Sequence, residues 1–373
     1  MKPLGIGIIG CGKISQAYFN GAKVFDILKV VACADLNLEV AKAKAEENGC
    51  VAQTVEELLA NPDVELIINL TIPAAHAKVS TAILNAGKHV YCEKPLTVTL
   101  EEAKALTALA EAKGLRIGCA PDTFLGAGHQ TGRKLVDDGV IGRVVSGTAF
   151  MMGRGPEGWH PNPAFYYQVG GGPVFDMGPY YLTALVNLLG PVKRVAAVVS
   201  KAFDERIAGC PERKGQKIPV EIPTHASATL EFHSGAVITA VFSFDVCAHK
   251  HSRIELYGTE GSMSLPDPNT FGGPISIYDP KLKPEGSDKP DWLEHALEFP
   301  YETNMRSIGA ADMAYAIREG RPHRASGELA YHVMELMHSF EKSSLSGEHV
   351  TIESKPERPE PFPVGLVEGK LAL

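Results

Sequence analysis

The stretch 4-LGIGIIGCGKIS-15 decides the fold of this 373-residue chain. A short apolar run leads into Gly10-x-Gly12-x-x-Ser15 and then into a helical pattern. In such a turn the first glycine permits the bend, the second admits a pyrophosphate, and the third position needs a small side chain. The helix start, with Lys13 and Ile14, offers free N–H groups to phosphate. The stretch predicts a dinucleotide-binding βαβ unit, although an ordinary turn would give the same match.

Working outward, strand and helix patterns alternate to about residue 120, which implies crossover connections and a parallel sheet. After residue 125 the apolar pattern changes to a period of two, with a hairpin at 230-LEFHSGAVITAV-241 and two helices at roughly 304–319 and 326–346. We therefore predict an α/β fold in three parts. These are a Rossmann domain with a doubly wound parallel sheet (1–123), an α+β domain with a large, mostly antiparallel open sheet (124–353), and an extended proline-rich tail (354–373).

Composition excludes several classes of protein. A net charge of −8 and no concentrated basic surface argue against a nucleic-acid partner. No apolar run approaches the ~18 residues of a membrane span. The seven cysteines are scattered without a CxxC pair, which is typical of reduced thiols in the cytoplasm. No ligand spacing for a metal occurs, so we expect no metal.

Asp35 follows the second predicted strand at the position where an acid hydrogen-bonds the adenosine ribose. Leu36 and Asn37 come next, with no arginine to receive a 2′-phosphate. NAD is therefore preferred to NADP. Asp35 could also cap the next helix.

The segment 92-CEKPL-96 places Lys94 at a strand end, because Pro95 cannot continue a central strand. Ligands of open parallel sheets bind beyond the carboxyl ends of the strands. Lys94 is thus a candidate site residue, although most lysines lie in surface loops.

At this point the residues carry a family resemblance. The order "GIIGCGKIS", "TIPAAHAKVSTAILNAGK" and "HVYCEKPL", followed by 170-GGGPVFDMGPYYLTALVNLLGPV-192, resembles the glucose–fructose oxidoreductase / inositol dehydrogenase (Gfo/Idh/MocA) family. The resemblance implies a second domain whose open sheet mediates assembly, as a homodimer or homotetramer, and an active site between the domains. It also implies that Lys94 points toward nicotinamide and substrate, and that the Lys94–Pro95 bond is cis.

The resemblance implies further cofactor contacts in the same cleft. It puts His76 near the nicotinamide ribose, although a capping histidine with satisfied hydrogen bonds is equally consistent. The full set of residues expected beside the cofactor after the second strand is Thr71, Pro73, His76, Glu93 and Lys94.

Asp176 and Tyr180 lie at i and i+4 of a predicted helix and therefore share a face. Because Pro179 is tolerated in a first turn, the helix is expected to begin near Met177 or Gly178. A one-residue error in helix phase would replace Tyr180 with Tyr181.

Relatives commonly have histidine where this chain has Tyr180, which changes the proton chemistry. A phenol has a pKa of about 10 and is a poor base at neutral pH, but a neighbouring ammonium favours the phenolate. Lys94 and Tyr180 are therefore predicted to handle the proton. Asp176 would hold the substrate hydroxyl or keep Lys94 protonated.

Other substrate contacts are less specific. The loop 155-GPEGWHPNPAFYY-167 carries Trp159 and His160, which suit the C–H faces of a sugar ring or an interface between proteins. Asp122 lies in "CAPDTFLG" (119–126), which departs from the family's commoner Asn/Arg-rich version. His323 and Arg324 either reach the pocket or only precede the last helix.

The leading hypothesis is an NAD-dependent dehydrogenase for a secondary hydroxyl of a sugar, cyclitol or related polyol. One alternative is a glycosidase or lyase that uses NAD in an internal redox cycle through a transient ketone. Another is a non-catalytic NAD-binding regulator.

Overall fold

The computed structural model describes residues 1–371. Its helices are α1 Ser15–Ala22, α2 Leu38–Asn48, α3 Val55–Ala60, α4 Pro73–Asn85, α5 Leu100–Ala112, α6 Ala127–Asp137, α7 Gly172–Leu189, α8 Ile308–Glu319 and α9 Gly327–Ser346. Its strands are β1 Leu4–Ile9, β2 Leu28–Ala34, β3 Val51–Gln53, β4 Leu66–Asn69, β5 His89–Cys92, β6 Ile117–Cys119, β7 Val144–Met152, β8 Val192–Ser200, β9 Glu205–Ile207, β10 Lys217–Pro219, β11 His225–Phe232, β12 Val237–Ser243, β13 Ile254–Gly258, β14 Ser262–Leu265, β15 Ile275–Tyr278, β16 Leu293–His295 and β17 Val350–Thr351.

The first sheet is parallel, with the order β3-β2-β1-β4-β5-β6. Every residue of β1 and β4 is buried, because helices cover both faces of such a sheet. In the register Ile9 lies beside both Ala34 and Asn69, and Asn69 lies beside Cys92. The strands that precede Gly10, Asp35 and Lys94 therefore end at one edge. The predicted Rossmann sheet is confirmed.

The second sheet has the order β16-β15-β14-β13-β7-β12-β11-β8-β17. Only β7 and β12 pair in parallel among these strands within residues 1–371. The predicted hairpin is β11–β12, in which Ala228 pairs with Ala240. Helices α7 and α9 pack on one face of this sheet. The large, mostly antiparallel second sheet is confirmed.

The last helices return to the first sheet. Cys119 at the end of β6 donates its N–H to Ala325 O (3.0 Å), and α8 also packs against β6. The side chains of Arg133 and Arg324 then bond to the carbonyl oxygens of Pro359 and Glu360 in the tail. The tail thereby links α6 to the segment between α8 and α9. No helix within residues 1–371 is long and apolar enough to cross a membrane.

The start of α7 differs from our prediction. The helix begins at Gly172, so the predicted start near Met177 or Gly178 is wrong. Pro173 takes the tolerated first-turn position, and Pro179 lies inside the helix, where it has no N–H for the carbonyl of Phe175. Asp176 and Tyr180 consequently lie within one continuous helix.

Candidate active site

The glycine turn between β1 and α1 has the shape that a dinucleotide needs. Gly10 has φ +100°, and a Cβ there would lie 2.7 Å from the backbone of Leu70, so only glycine fits. A Cβ on Gly12 would meet no atom within 4 Å, which leaves open space at the turn. Ser15 is buried, and its hydroxyl donates to Gly12 O (2.7 Å). The turn therefore fits a pyrophosphate held against backbone N–H groups.

Asp35 lies at the same edge with its carboxylate oriented by backbone groups. Its Oδ2 accepts from the N–H of Cys11 (2.8 Å), and its Oδ1 accepts from the N–H of Asn37 (2.9 Å). The N-cap of α2 is Asn37, which accepts from Glu39 N, so the alternative that Asp35 caps this helix is wrong. Asp35 remains partly exposed beside the glycine turn, as an acid that binds ribose hydroxyls must be.

Lys94 follows β5 and crosses to the second domain. Its Nζ donates to the carboxylate of Asp176 (3.0 Å) and to the carbonyl of the same residue (2.8 Å). The side chain is 18% exposed, and the peptide bond to Pro95 is cis, as the resemblance implied. Burial alone would lower the pKa of Lys94, but Tyr180 and the carboxylates of Asp176 and Glu93 raise it. The amine is therefore a charged donor.

Tyr180, rather than Tyr181, faces this ammonium. The Lys94 Nζ lies 5.2 Å from the centroid of the Tyr180 ring. Tyr181 points toward the second sheet, where its ring packs 5.7 Å from Phe242 and its hydroxyl bonds to Phe150 O (3.4 Å). The structure thus brings together Lys94, Asp176 and Tyr180.

Arg306 completes the group, and sequence reasoning missed it. Its Nη2 donates to the Tyr180 hydroxyl (3.2 Å), and its Nη1 lies 3.4 Å from Asp122 Oδ1. Burial would lower the pKa of Arg306, but Tyr180, Glu93 and Asp122 raise it, so the guanidinium stays charged. The segment "TNMRS" has no spacing or motif that could have indicated this role. Two cations therefore lie close to Tyr180.

Asp122 is the partner of Arg306 and is 0% exposed. Its second oxygen accepts from Gly309 N (3.2 Å) near the start of α8. Burial raises the pKa of Asp122, whereas Arg306 opposes that shift. Our prediction that Asp122 binds substrate is corrected, because its oxygens are turned inward to Arg306 and the α8 backbone.

Comparisons with known proteins identify the family of the chain. Residues 4–120 match the model of the oxidoreductase family with an NAD-binding Rossmann fold, and residues 129–264 match the C-terminal domain model of the same GFO/IDH/MocA family. The chain belongs to the Gfo/Idh/MocA family. It is accordingly an oxidoreductase with an NAD-binding domain.

The relatives of this chain differ in sequence identity and in the share of the chain that they cover. An uncharacterised oxidoreductase of Schizosaccharomyces pombe is 30% identical over 53% of this chain and 55% of its own length. Levoglucosan dehydrogenase of Pseudarthrobacter phenanthrenivorans is 26% identical over 70% of this chain and 73% of its own length. A solved structure of levoglucosan dehydrogenase with NADH and levoglucosan has a TM-score of 0.79, at 23% identity over 94% of this chain and 100% of that chain. The last comparison shows the shared fold.

His76 is 1% exposed, so its ring is buried in the protein, which agrees with the alternative of a histidine whose hydrogen bonds are satisfied. Its Nδ1 lies 2.6 Å from Pro95 O and its Nε2 lies 2.9 Å from Thr71 O. Both partners only accept, so both nitrogens must donate. Burial alone would lower the pKa of His76, but Cys92 and the two carbonyls outweigh burial and raise it to about 9. His76 is thus an imidazolium that ties two site loops together.

Glu93 also faces the protein. It accepts from the Tyr18 hydroxyl (2.7 Å) through Oε1 and from Lys94 N (2.8 Å) through Oε2. We predicted that Glu93 contacts the cofactor directly. This prediction is corrected, because Glu93 instead supports the backbone of Lys94. Four further predicted cofactor contacts are partly or fully exposed at the sheet edge, namely Lys13, Ile14, Thr71 and Pro73.

Of the two predicted substrate residues on the loop, Trp159 is well exposed and His160 is half-buried. Trp159 is 68% exposed, and its ring packs edge-on to His160 with centroids 5.5 Å apart. His323 bonds to Ile117 O (2.9 Å) at the amino end of β6, so it and Arg324 lie away from the site. Residues 1–371 contain no group of three or more His, Cys, Asp or Glu side chains placed to hold a metal ion.

Proposed function

We propose that this chain is an NAD-dependent dehydrogenase that oxidises a secondary hydroxyl of a sugar, cyclitol or related polyol to a ketone. The observation that carries the proposal is the Lys94–Asp176 ion pair, with Tyr180 beside it, at the sheet edge that bears the glycine turn. The relative that is named levoglucosan dehydrogenase supports a carbohydrate substrate.

Lys94 binds and stabilises the reacting oxygen. Its ammonium has three N–H groups, and Asp176 receives two bonds, so one remains for substrate. When bound, NAD supplies the hydride acceptor, so the carbinol carbon loses a hydride while its hydroxyl loses a proton. The fixed positive charge of Lys94 stabilises the alkoxide character that develops on that oxygen.

In this proposal Tyr180 reacts as the phenolate, which receives the proton of the substrate hydroxyl. The phenolic oxygen accepts from Arg306 Nη2 (3.2 Å), and Lys94 Nζ lies 5.2 Å from the centroid of the same ring, so two cations lie close to Tyr180. Asp176 keeps Lys94 charged and fixes the direction of its remaining N–H. The balance is secondary alcohol plus NAD⁺ giving ketone, NADH and a proton released through Tyr180.

The charges of the site favour a neutral substrate. Lys94 is paired with Asp176, and Arg306 is paired with Asp122. A phosphate or carboxylate on the substrate would have to compete with these carboxylates for the cations. An uncharged sugar or polyol needs only hydrogen bonds and an apolar face.

NAD rather than NADP is the proposed cofactor, and Asp35 is the residue to test. We expect Asp35→Ser together with Leu36→Arg to raise the NADP-to-NAD ratio of kcat/KM by roughly 10²-fold. Removal of a repelling carboxylate and addition of a cation each contribute on the order of 1–2 kcal/mol, and 1.4 kcal/mol is tenfold.

Initial rates with each cofactor measure this ratio. Glu39→Ser is a matched control. Glu39 is an exposed acid in the helix that follows Asp35, and it pairs with Lys42. An unchanged ratio in the double variant would show that Asp35 does not select the cofactor.

The experiment for the reaction itself combines absorbance at 340 nm with mass spectrometry of products. Purified protein is incubated with NAD or NADP and a panel of neutral sugars, inositols and glycosides. NADH and a ketone in equal amounts support the dehydrogenase. A changed glycoside with no NADH identifies an internal redox cycle, and NAD binding without any product identifies a regulator.

The proposed assembly is a homodimer or homotetramer formed through the second sheet. The face opposite α7 and α9 is exposed, and it includes Val198 (67% exposed) and Val237 (40% exposed) among short polar side chains. Such a flat face suits a second copy of the same surface. Light scattering should give a mass that is two or four times 40.0 kDa, and a monomer would contradict this assembly.

A further inference from the structure

Two adjacent tyrosines, Tyr166 and Tyr167, lie in the loop that precedes α7. This aromatic loop, residues 155–171, ends in two glycines and leads directly into the helix of Asp176. Tyr166 is partly buried, and its backbone lies against Gly171 at the start of α7, whereas Tyr167 is 0% exposed. The loop therefore packs against the start of the helix that carries Asp176.

Tyr166 packs against the aromatic rings next to it, and charged groups of the active site affect its pKa. Its ring lies 4.0 Å from that of Phe165 and 5.1 Å from that of His160. Burial and the nearby Asp176 carboxylate raise the pKa of Tyr166 to about 12, although Lys94 opposes the shift. The Tyr166 hydroxyl is thus close enough to Lys94 and Asp176 for both charges to act on it.

A buried ionic cluster beneath the loop holds Tyr167. The Tyr167 hydroxyl donates to the carboxylate of Glu157, which also pairs with Arg206 Nη1 (3.2 Å). The other arm of Arg206 pairs with Asp245 and donates to Phe244 O (3.0 Å). Arg206 comes from β9, is 6% exposed, and lies 5.7 Å from the Tyr167 ring centroid.

This ionic cluster lies beneath the loop beside a small apolar cluster that includes Tyr167 and Phe244. The aromatic side chains on the outer surface are open to solvent, with Trp159 68% and Phe165 46% exposed. A planar guanidinium can bridge two carboxylates that lie in different segments, here Glu157 of the loop and Asp245 after β12. Loss of Arg206 would leave two buried acids without their cation, and the loop would move to solvate Glu157.

The geometry points to Tyr166 as a further substrate-contacting residue and to Arg206 as the positioning residue that holds the aromatic loop against the site. This inference rests on the proposed function in one respect, namely that the site binds a sugar or polyol. The chemistry assigned to the loop is binding of the apolar C–H face of the substrate ring, with the Tyr166 hydroxyl available to a ring hydroxyl.

The test uses the full chain with Arg206→Met, the milder Tyr167→Phe, and Tyr166→Ala. With the substrate found in the dehydrogenase assay, each variant should raise KM for the sugar by roughly 10–100-fold, because a small misplacement of binding groups is sufficient for such a loss. The KM for NAD should stay within about twofold, since the glycine turn and Asp35 lie on the other domain.

Arg324→Met is the matched control. Arg324 is also a buried arginine (8% exposed) that pairs with a buried acid, Asp312, and lies 4.6 Å from the centroid of an aromatic ring, Phe362. Its loss has the same cost to the fold but leaves the loop anchored, so its sugar KM should not change.

A second measurement follows the loop without any substrate. In a Trp292→Phe background, Trp159 is the only tryptophan, and acrylamide quenching reports its exposure and mobility. Arg206→Met should change the quenching constant and Arg324→Met should not. An unchanged constant in Arg206→Met overturns the anchor, whatever the activity of the wild type. If wild type oxidises a sugar and the three variants keep its KM, the inference fails while the dehydrogenase stands.

Discussion

Replacing Lys94 with methionine is expected to lower kcat for the sugar or polyol by roughly 10³-fold, with little change in the affinity for NAD. Methionine keeps much of the length of the side chain but removes the donor and the charge that stabilise the reacting oxygen. The loss falls on the chemical step, because the interaction strengthens as the oxygen becomes an alkoxide.

Stopped-flow single turnovers at 340 nm, together with NADH titration by fluorescence, measure these two quantities separately. Lys88→Met is the matched control, since Lys88 is another buried lysine (7% exposed) whose Nζ donates to backbone carbonyls of Asn61 and Val64. It should lose stability and keep turnover. A Lys94→Met enzyme with near wild-type kcat would remove Lys94 from the mechanism.

Asp176→Asn should have a smaller effect on kcat than Lys94→Met, which follows from the geometry. The Asp176 backbone carbonyl still accepts from Lys94 Nζ (2.8 Å) in that variant, so the ammonium keeps one of its two anchors. What is lost is the negative charge that, with Tyr180 and Glu93, raises the pKa of Lys94 against the effect of burial.

The fold could be predicted from the sequence because its signals are local. The glycine turn, the alternation of strands with helices and the Ser-Gly hairpin each depend on fewer than about 15 consecutive residues. Lys94 and Asp35 could be placed for the same reason, because the end of a parallel strand is also the edge where ligands bind.

The rest of the site depends on contacts between distant segments. Arg306 reaches Tyr180 across 126 positions, and Asp122 reaches Arg306 across 184. No periodicity encodes such pairs, and Asp122 at a domain boundary has the same sequence signature whether its carboxylate faces substrate or a buried guanidinium. Similarly, the doublet Tyr166-Tyr167 gives no indication of which ring is fully buried.

The error at the start of α7 has a different cause. A proline in a helical pattern favours a first-turn position, and that rule was applied to Pro179. The chain has a second proline, Pro173, which occupies the first turn, while packing of α7 against α9 and the second sheet tolerates the missing bond at Pro179. Tertiary contacts thus outweighed a local preference.

The second large effect is expected from Tyr180→Phe, which should lower kcat/KM by roughly 10²–10⁴-fold through loss of the proton acceptor. The substitution is a clean test of chemistry. Removal of the hydroxyl takes away one of the two partners of Arg306 but leaves Asp122, so no charge is buried alone. Thermal unfolding should therefore remain close to wild type while activity falls.

Tyr181→Phe is the matched control, because its hydroxyl makes one long bond (3.4 Å) to Phe150 O and faces the second sheet. Tyr180→His tests whether a different base at this position can support activity. An imidazole with an ordinary pKa of about 6.5 accepts a proton unaided, so activity should partly return and should fall as pH drops through ~6.5. Near wild-type turnover in Tyr180→Phe would assign the proton to another group, and Tyr166, on whose hydroxyl the charges of Lys94 and Asp176 act, would be the next residue to replace.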